Sequence, residues 1–166
     1  IARVVMNTPV ACGAGMSAYS ANRFVSPRQR QFTETLLKSR GQCIEIDEAQ
    51  CNAMTGLSAC GPAYIYLIIE ALADGGVRVG LKREQALAVA TQTVLGAAKM
   101  VAESGRHPAS LRDDVTPPAG CTIAGLLVME DGKIRSTLAR TVEEATRTAG
   151  ALKIPSIEPL SLTGSL

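Results

Sequence analysis

The spacing of apolar and polar positions divides the chain into two stretches of different character. Up to about Asp47, short apolar runs alternate with turn residues. Arg3-Val4-Val5-Met6 and Met16-Ser17-Ala18-Tyr19 predict strands, with a Pro/Gly loop between them. Ser26, followed by Pro27 and Gln29, predicts a capped helix start, because the serine oxygen can accept a backbone N–H while the glutamine reaches back. Phe32, Leu36 and Leu37 give that helix an expected buried face, Gly41 stops it, and Cys43-Ile44-Glu45-Ile46 returns as a strand. Strand–helix–strand is the α/β order, yet so few strands under one helix would leave open edges and a bare sheet face. Residues 1–47 are therefore expected to be the end of a larger α/β domain whose front precedes Ile1.

From Glu48 onward the period becomes helical. Gly61 to Asp74 is apolar nearly all round, with Gly75-Gly76 as its expected end. Such a helix needs cover on every side, at a domain centre or against another subunit. Arg83 to Glu103 carries Leu87, Ala90, Val94, Ala97 and Val101 at three- and four-residue spacing. A short turn runs from His107-Pro108 through Leu111, and a helix from near Gly120 to Glu130 closes at Gly132. The last helix, Ile134 to Leu152, places Ile134, Leu138, Val142, Ala145, Ala149 and Leu152 on one stripe, with Glu143 expected to pair with Arg147 on its exposed face. The boundaries expected are 1–47, 48–152 and a tail at 153–166, where Pro155 and Pro159 predict loop or disorder. The fold class is mainly α: a helical domain preceded by the C-terminal part of an α/β unit.

Composition narrows the chemistry. With 46% apolar and 19% charged residues over 166 positions, the chain is globular rather than disordered or fibrous. Aromatics make up only 3%, so alanine and branched aliphatics do the filling, which suits closely packed helices. A net charge of +2 without a basic run offers no electrostatic grip on nucleic acid or an anionic membrane. The longest apolar stretch, Leu57 to Ala73, is interrupted by Gly61, Pro62 and Glu70 and falls short of the ~20 residues a membrane helix needs. Five cysteines without a CxxC, beside one histidine, argue against zinc and for free thiols in a reducing compartment. The cytoplasm is the expected location, with the mitochondrion left open.

Three segments carry candidate chemistry. Gly13-Ala14-Gly15-Met16-Ser17-Ala18 fits the dinucleotide pattern G-x-G-x-x-A, but strand rather than helix follows, so it reads as an ordinary glycine turn. Thr55-Gly56-Leu57-Ser58 with Ala59-Cys60-Gly61-Pro62-Ala63 leads hydroxyls and small residues into the apolar helix, where N–H groups could meet a carboxylate and Thr55 or Ser58 a polar ligand atom. Capping and close packing explain the same residues without a ligand. Asp113-Asp114-Val115-Thr116-Pro117-Pro118-Ala119-Gly120-Cys121-Thr122 sets a rigid turn before a fresh helix start, suited either to a small carboxylate or to simple capping. His107 reads as a turn or cap residue, and the cysteines as packing.

Taken together, Asn7-Thr8-Pro9, Thr55-Gly56-Leu57-Ser58 with Gly61-Pro62-Ala63, Ala71 to Gly76, and Asp114-Val115-Thr116 through Thr122 resemble pyrroline-5-carboxylate reductase, colinearly from Ile1 to about Leu152. The resemblance implies reduction of a cyclic imino acid to proline by NADPH or NADH, the last step of proline biosynthesis. It also implies an N-terminal Rossmann domain and a C-terminal helical domain that interleaves with a second subunit, as a homodimer or a higher oligomer. Asn7 and Pro9 would then lie near the nicotinamide, and Thr55 at the ring nitrogen. Thr116, Ala119, Gly120, Cys121 and Thr122 would hold the substrate carboxylate. Neither nucleic acid nor membrane is an expected partner.

This chain departs from the family pattern in several places. Pro117-Pro118-Ala119-Gly120 stands where Ser-Pro-Gly-Gly is usual, Ala59-Cys60 replaces Gly-Ser, and Met6 precedes Asn7 where proline is common. The glycine-rich nucleotide-binding half is not among these residues, so the chain alone is expected to be inactive. A non-catalytic dimerisation module is the alternative. A hydroxy-acid dehydrogenase would need a lysine in the first helical element, and Glu48 to Ala73 contains none.

Overall fold

The computed structural model describes residues 1–152; the expected tail at 153–166 lies outside the described residues. Three strands form the N-terminal sheet: β1 (Ala2–Met6), β2 (Gly15–Ala21) and β3 (Gly41–Glu45), in the order β1-β2-β3. β1 runs antiparallel to β2, with Val4 opposite Tyr19, and β2 runs parallel to β3, with Ser17 opposite Cys43. Helix α1 (Pro27–Lys38) makes the β2–β3 crossover, and its start is the predicted capping box. Ser26 Oγ accepts from Gln29 N, while the Gln29 side chain accepts from Ser26 N.

Gly15 and Gly41 sit side by side in register, and the chain approaches itself closely there. A Cβ on Gly15 would stand 2.2 Å from Val10 Cγ1, and one on Gly41, at φ 142, would stand 2.0 Å from Gly15 O. Both glycines are steric requirements of the sheet start.

α1 covers the sheet with a different face from the one its apolar residues suggest. Phe32 and Leu36 are 69% and 59% exposed, while Arg30, Thr33, Glu34 and Leu37 turn inward. Arg30, on the inward face, pairs with Glu45 on β3 and donates to Ala21 O. The opposite sheet face is not bare, since α2 (Cys51–Met54) packs on β2.

α2 belongs to a longer structure. A 3-10 turn at Glu48–Gln50, α2, a widened π-turn at Thr55–Ala59 and α3 (Gly61–Arg78) run on as one helix of 31 residues, Glu48–Arg78. Gly75 and Gly76 lie inside α3 rather than ending it. The reason is packing: α4 (Arg83–Ser104) folds back so closely that a Cβ on Gly76 would meet Ala86 Cβ at 3.1 Å. Ala73, Ala86 and Ala90 form a buried seam there, flanked by Ile69 and Val77. By length and composition alone, Glu48–Arg78 is long and apolar enough to cross a membrane, because the helix runs on through Gly61, Pro62 and Glu70, and little of it is covered within the chain.

Next come α5 (Pro108–Asp114), α6 (Cys121–Asp131) and α7 (Ile134–Ala151). His107 caps α5, its Nδ1 accepting from Ala109 N at 3.1 Å, as expected of a cap residue. α7 returns to pack on α2 and the π-turn. On its outer face Arg147 reaches Glu144 at 2.6 Å rather than Glu143.

The core is small. Among the described residues, the buried apolar side chains are Ala18, Tyr19, Cys43, Cys51, Ala73, Ala86 and Ala90. Leu67, Leu95, Leu127 and Val128 are more than half exposed. A chain of this length would bury roughly 70% of its unfolded surface if it completed its own core.

Candidate functional site

Two of the predicted segments meet. Asn7 leaves β1 with its side chain fully engaged: Oδ1 accepts from Met16 N at 2.9 Å, and Nδ2 donates to Ser58 Oγ at 3.4 Å. The amide thus clamps the sheet end to the long helix. Beside it, Asn7, Pro9, Leu57, Ser58, Gly61 and Pro62 border an apolar cavity of about 620 Å3.

Thr55 faces the other way. With Cys60, Tyr64 and the α7 residues Thr137, Thr141 and Thr148, it borders a second cavity of about 740 Å3. Its hydroxyl donates to Cys51 O at 2.9 Å, so toward the cavity Thr55 presents oxygen lone pairs, as an acceptor. The expected helix start at Thr55 is absent, since the backbone is already helical from Cys51. No N-terminal set of free N–H groups opens there.

Tyr64 borders both cavities and went unremarked in the sequence. Its hydroxyl donates to Gly56 O at 3.0 Å. Burial, with Cys60 adding to it, pushes the phenol above its ordinary value, so it remains a donor. Gly56 is pressed against α7, where a Cβ would stand 2.3 Å from Thr146 Oγ1 and 2.8 Å from Thr146 N.

The loop before α6 stands apart, bordering neither cavity. Thr116 Oγ1 donates to Arg112 O at 2.6 Å, and Gly120 N donates to Pro117 O at 3.1 Å. Ala119 adopts the left-handed conformation at φ 57, which disfavours a side chain. A Cβ on Gly120 would meet Pro117 Cγ at 3.0 Å, so glycine fits that position. Pro117 and Pro118 carry no N–H, which leaves the donors of Ala119 in the loop and of Cys121 and Thr122 at the α6 start, together with the Thr122 hydroxyl. Upstream, Arg106 bonds Asp114 at 2.6 Å and holds its carboxyl below the usual aspartate value.

Elsewhere the chemistry is quiet. Burial pushes the Cys43 and Cys51 thiols up, in keeping with packing roles. Gly13 ends a 3-10 turn and Gly15 opens β2, so G-x-G-x-x-A is a turn, without the helix a pyrophosphate needs. Among the described residues no cluster of three or more His, Cys, Asp or Glu could hold a metal ion. A further cavity, about 1120 Å3, lies at the far end of the sheet beside the Arg3–Glu48 and Arg30–Glu45 pairs, away from the predicted residues.

Comparison with known proteins bears on this layout. Residues 48–152 match the family model described as pyrroline-5-carboxylate reductase dimerisation. The chain is 48% identical over 145 residues to the pyrroline-5-carboxylate reductase of Arabidopsis thaliana, covering 87% of this chain and 52% of that protein. It is 42% identical over 143 residues to human pyrroline-5-carboxylate reductase 2, covering 86% and 45% respectively. Among solved structures, a pyrroline-5-carboxylate reductase from Coxiella burnetii aligns with a TM-score of 0.89 at 35% identity, over 93% of this chain and 57% of that one. The Plasmodium falciparum pyrroline carboxylate reductase, solved with NADP bound, gives 0.85 at 35% identity, over 91% and 62%. This chain spans about half the length of the curated relatives it matches. With most of its length inside the family model and its fold reproduced in these structures, the chain belongs to the pyrroline-5-carboxylate reductase family.

Proposed function

We propose that this chain supplies the substrate-binding and dimer-forming part of an enzyme that reduces 1-pyrroline-5-carboxylate to L-proline with NADPH or NADH. The observation that carries the reading is the family match across residues 48–152, the stretch that contains both Thr55 and the 116–122 loop.

The cofactor fits these residues at one end only. The apolar cavity beside Asn7, Pro9 and Ser58 suits the flat ring of a nicotinamide, while the described residues offer no phosphate cradle. When bound, the reduced nicotinamide supplies the hydride. Asn7 does not need to touch it: by tying β1 to Ser58, the amide fixes the wall against which the ring would lie. Thr55 contributes an acceptor. With its proton committed to Cys51 O, its oxygen can receive an N–H from a ligand in the second cavity, on the other side of the helix from that wall. The N–H groups of Cys121 and Thr122 and the Thr122 hydroxyl would hold the carboxylate, each dipole-assisted contact being worth ~0.3–1 kcal/mol. Such a site works mainly by alignment of two reactants.

A second copy of the chain completes the arrangement. The small core and the uncovered length of Glu48–Arg78 support this, as does the separation of the 116–122 loop from Thr55 within one chain. The test is NADPH oxidation with pyrroline-5-carboxylate by the longest natural polypeptide that carries this sequence. Stoichiometric proline is expected, and a folded dimer that makes none would refute the reading.

The non-catalytic dimerisation module is favoured by one observation, the left-handed Ala119 after two prolines in the proposed carboxylate loop. Failure of Pro117→Ser with Ala119→Gly to raise activity in an otherwise inactive dimer would leave that alternative standing.

A further inference from the structure

The Asn7 amide determines what the Ser58 hydroxyl can do. Met16 N can only donate, so the amide atom that faces it at 2.9 Å is the oxygen, Oδ1. Nδ2 is thereby turned to Ser58 Oγ, and in that contact the serine accepts. The serine proton takes no part in it and points elsewhere. On the same long helix, Thr55 returns its proton to Cys51 O, the usual outlet for a hydroxyl within a helix. Ser58 makes no such bond, and among the described residues no acceptor receives its proton.

Ser58 borders the apolar cavity beside Asn7 and Pro9, and no charged side chain lines that cavity. The other hydroxyls around it are placed differently. Tyr64 spends its proton on Gly56 O, and Tyr66, about two turns further along the helix, is 61% exposed. Between them and Ser58, Gly61 leaves the helix surface bare: nothing lies within 4 Å of where a Cβ would stand. The wall is thus an apolar seat with one uncommitted proton at the Asn7 end. A charged ligand group finds no counter-ion there, whereas a neutral ring bearing a carbonyl finds both cover and a donor.

We infer that Ser58 is a cofactor-binding residue: its hydroxyl donates to the carboxamide oxygen of the nicotinamide, and Asn7 holds the serine in the orientation that frees this proton. The ring is then fixed by its substituent as well as by the wall, which settles the face it turns to the substrate. The inference rests on the proposed reductase function.

Calorimetric titration of the longest natural polypeptide that carries this sequence tests it. The ligands are NADPH or NADH, whichever binds more tightly, and the analogue of that cofactor in which sulfur replaces the carboxamide oxygen. Sulfur is a weak hydrogen-bond acceptor. The wild type is expected to bind the analogue about fivefold more weakly, the effect of one net hydrogen bond. Ser58→Ala should weaken the natural cofactor by about the same factor and leave the analogue nearly unaffected, so that the preference disappears. A wild type that binds the two alike overturns the inference before any variant is made. An equal loss for both ligands in Ser58→Ala also overturns it, since the serine would then act only through its contact with Asn7. A wild type that binds neither NADPH nor NADH refutes the proposed function itself, and the inference with it.

Discussion

Glycine-to-alanine exchanges at two points of the same long helix should shift stability in opposite directions. Gly56 faces α7 at a distance that leaves no room for a methyl group: the added carbon would lie 2.3 Å from Thr146 Oγ1, 2.8 Å from Thr146 N and 2.9 Å from Val142 O. Two of these are backbone atoms, so no rotamer change relieves the clash, and α7 must move away. Overpacking of this kind costs about 1–3 kcal/mol. Alanine recovers up to ~1 kcal/mol through its helix preference, leaving a net loss of up to ~2 kcal/mol for Gly56→Ala. At Gly75 nothing lies within 4 Å of the added carbon, so Gly75→Ala should stabilise by roughly 0.5–1 kcal/mol. The helix preference largely cancels between the two variants, and their difference measures the α7 contact. Urea unfolding of both at one protein concentration is the assay. On thermal melting, each kcal/mol corresponds to about 2–4 °C for a chain of this size. If the two variants move by the same amount in the same direction, the close approach of Gly56 to α7 is wrong.

Further expectations follow from the loop and its surroundings. Ala119→Gly relieves a left-handed side chain at a cost of more unfolded-state freedom, so stability should rise by no more than ~1 kcal/mol. If the proposed reductase function holds, Pro117→Ser combined with Ala119→Gly in the longest natural polypeptide carrying this sequence should lower the KM for the imino acid severalfold, measured by initial rates, with the KM for NADPH unmoved. Thr55→Val should reduce kcat while leaving circular dichroism unchanged, because its hydroxyl bonds only the helix's own backbone at Cys51. Asp114 has its folded value depressed by Arg106, so its contribution is present above the ordinary aspartate value and lost as pH falls through the depressed one. Acid titration followed by NMR should therefore release α5 only at the low end of that range. Asp114→Asn should abolish this step, and an unchanged acid transition in that variant would remove Arg106–Asp114 as its cause.

Much of the fold was legible in local chemistry. The Ser26–Gln29 box, the strands around Val4, Ala18 and Cys43, and the helices α6 and α7 all depend on nearby residues and appear as predicted. What escaped depends on distant ones. Gly75-Gly76 reads as a stop by propensity, but Ala86 on another helix needs the space that Gly76 leaves. Phe32 and Leu36 read as core, yet α1 lays Arg30, Thr33, Glu34 and Leu37 on the sheet and leaves them facing outward. Arg147 had glutamates at both three and four residues back, and periodicity does not choose between them. The π-turn leaves no trace in apolar spacing, because a single extra residue merely shifts the phase of a helix that is apolar all round. Tyr64 went unnoticed for the same reason, its partner being a backbone carbonyl. Of the candidate residues, Asn7 and Pro9 are brought to Ser58, whereas Thr55 and the 116–122 loop are not joined within one chain.

The scarcity of buried side chains has a consequence for how the molecule comes into being. A chain whose interior consists largely of alanine, Tyr19 and two thiols gains little by collapsing alone. If a second copy finishes the interior, encounter and folding merge into one bimolecular event, whose rate depends on how many nascent chains are present rather than on topology alone. Until that encounter, Leu67, Leu95 and Val128 remain open to any other apolar surface, as in aggregation-prone folding intermediates. Slow synthesis of such a chain would lengthen its solitary and most vulnerable stage, making translation rate and chaperone supply part of what determines its yield.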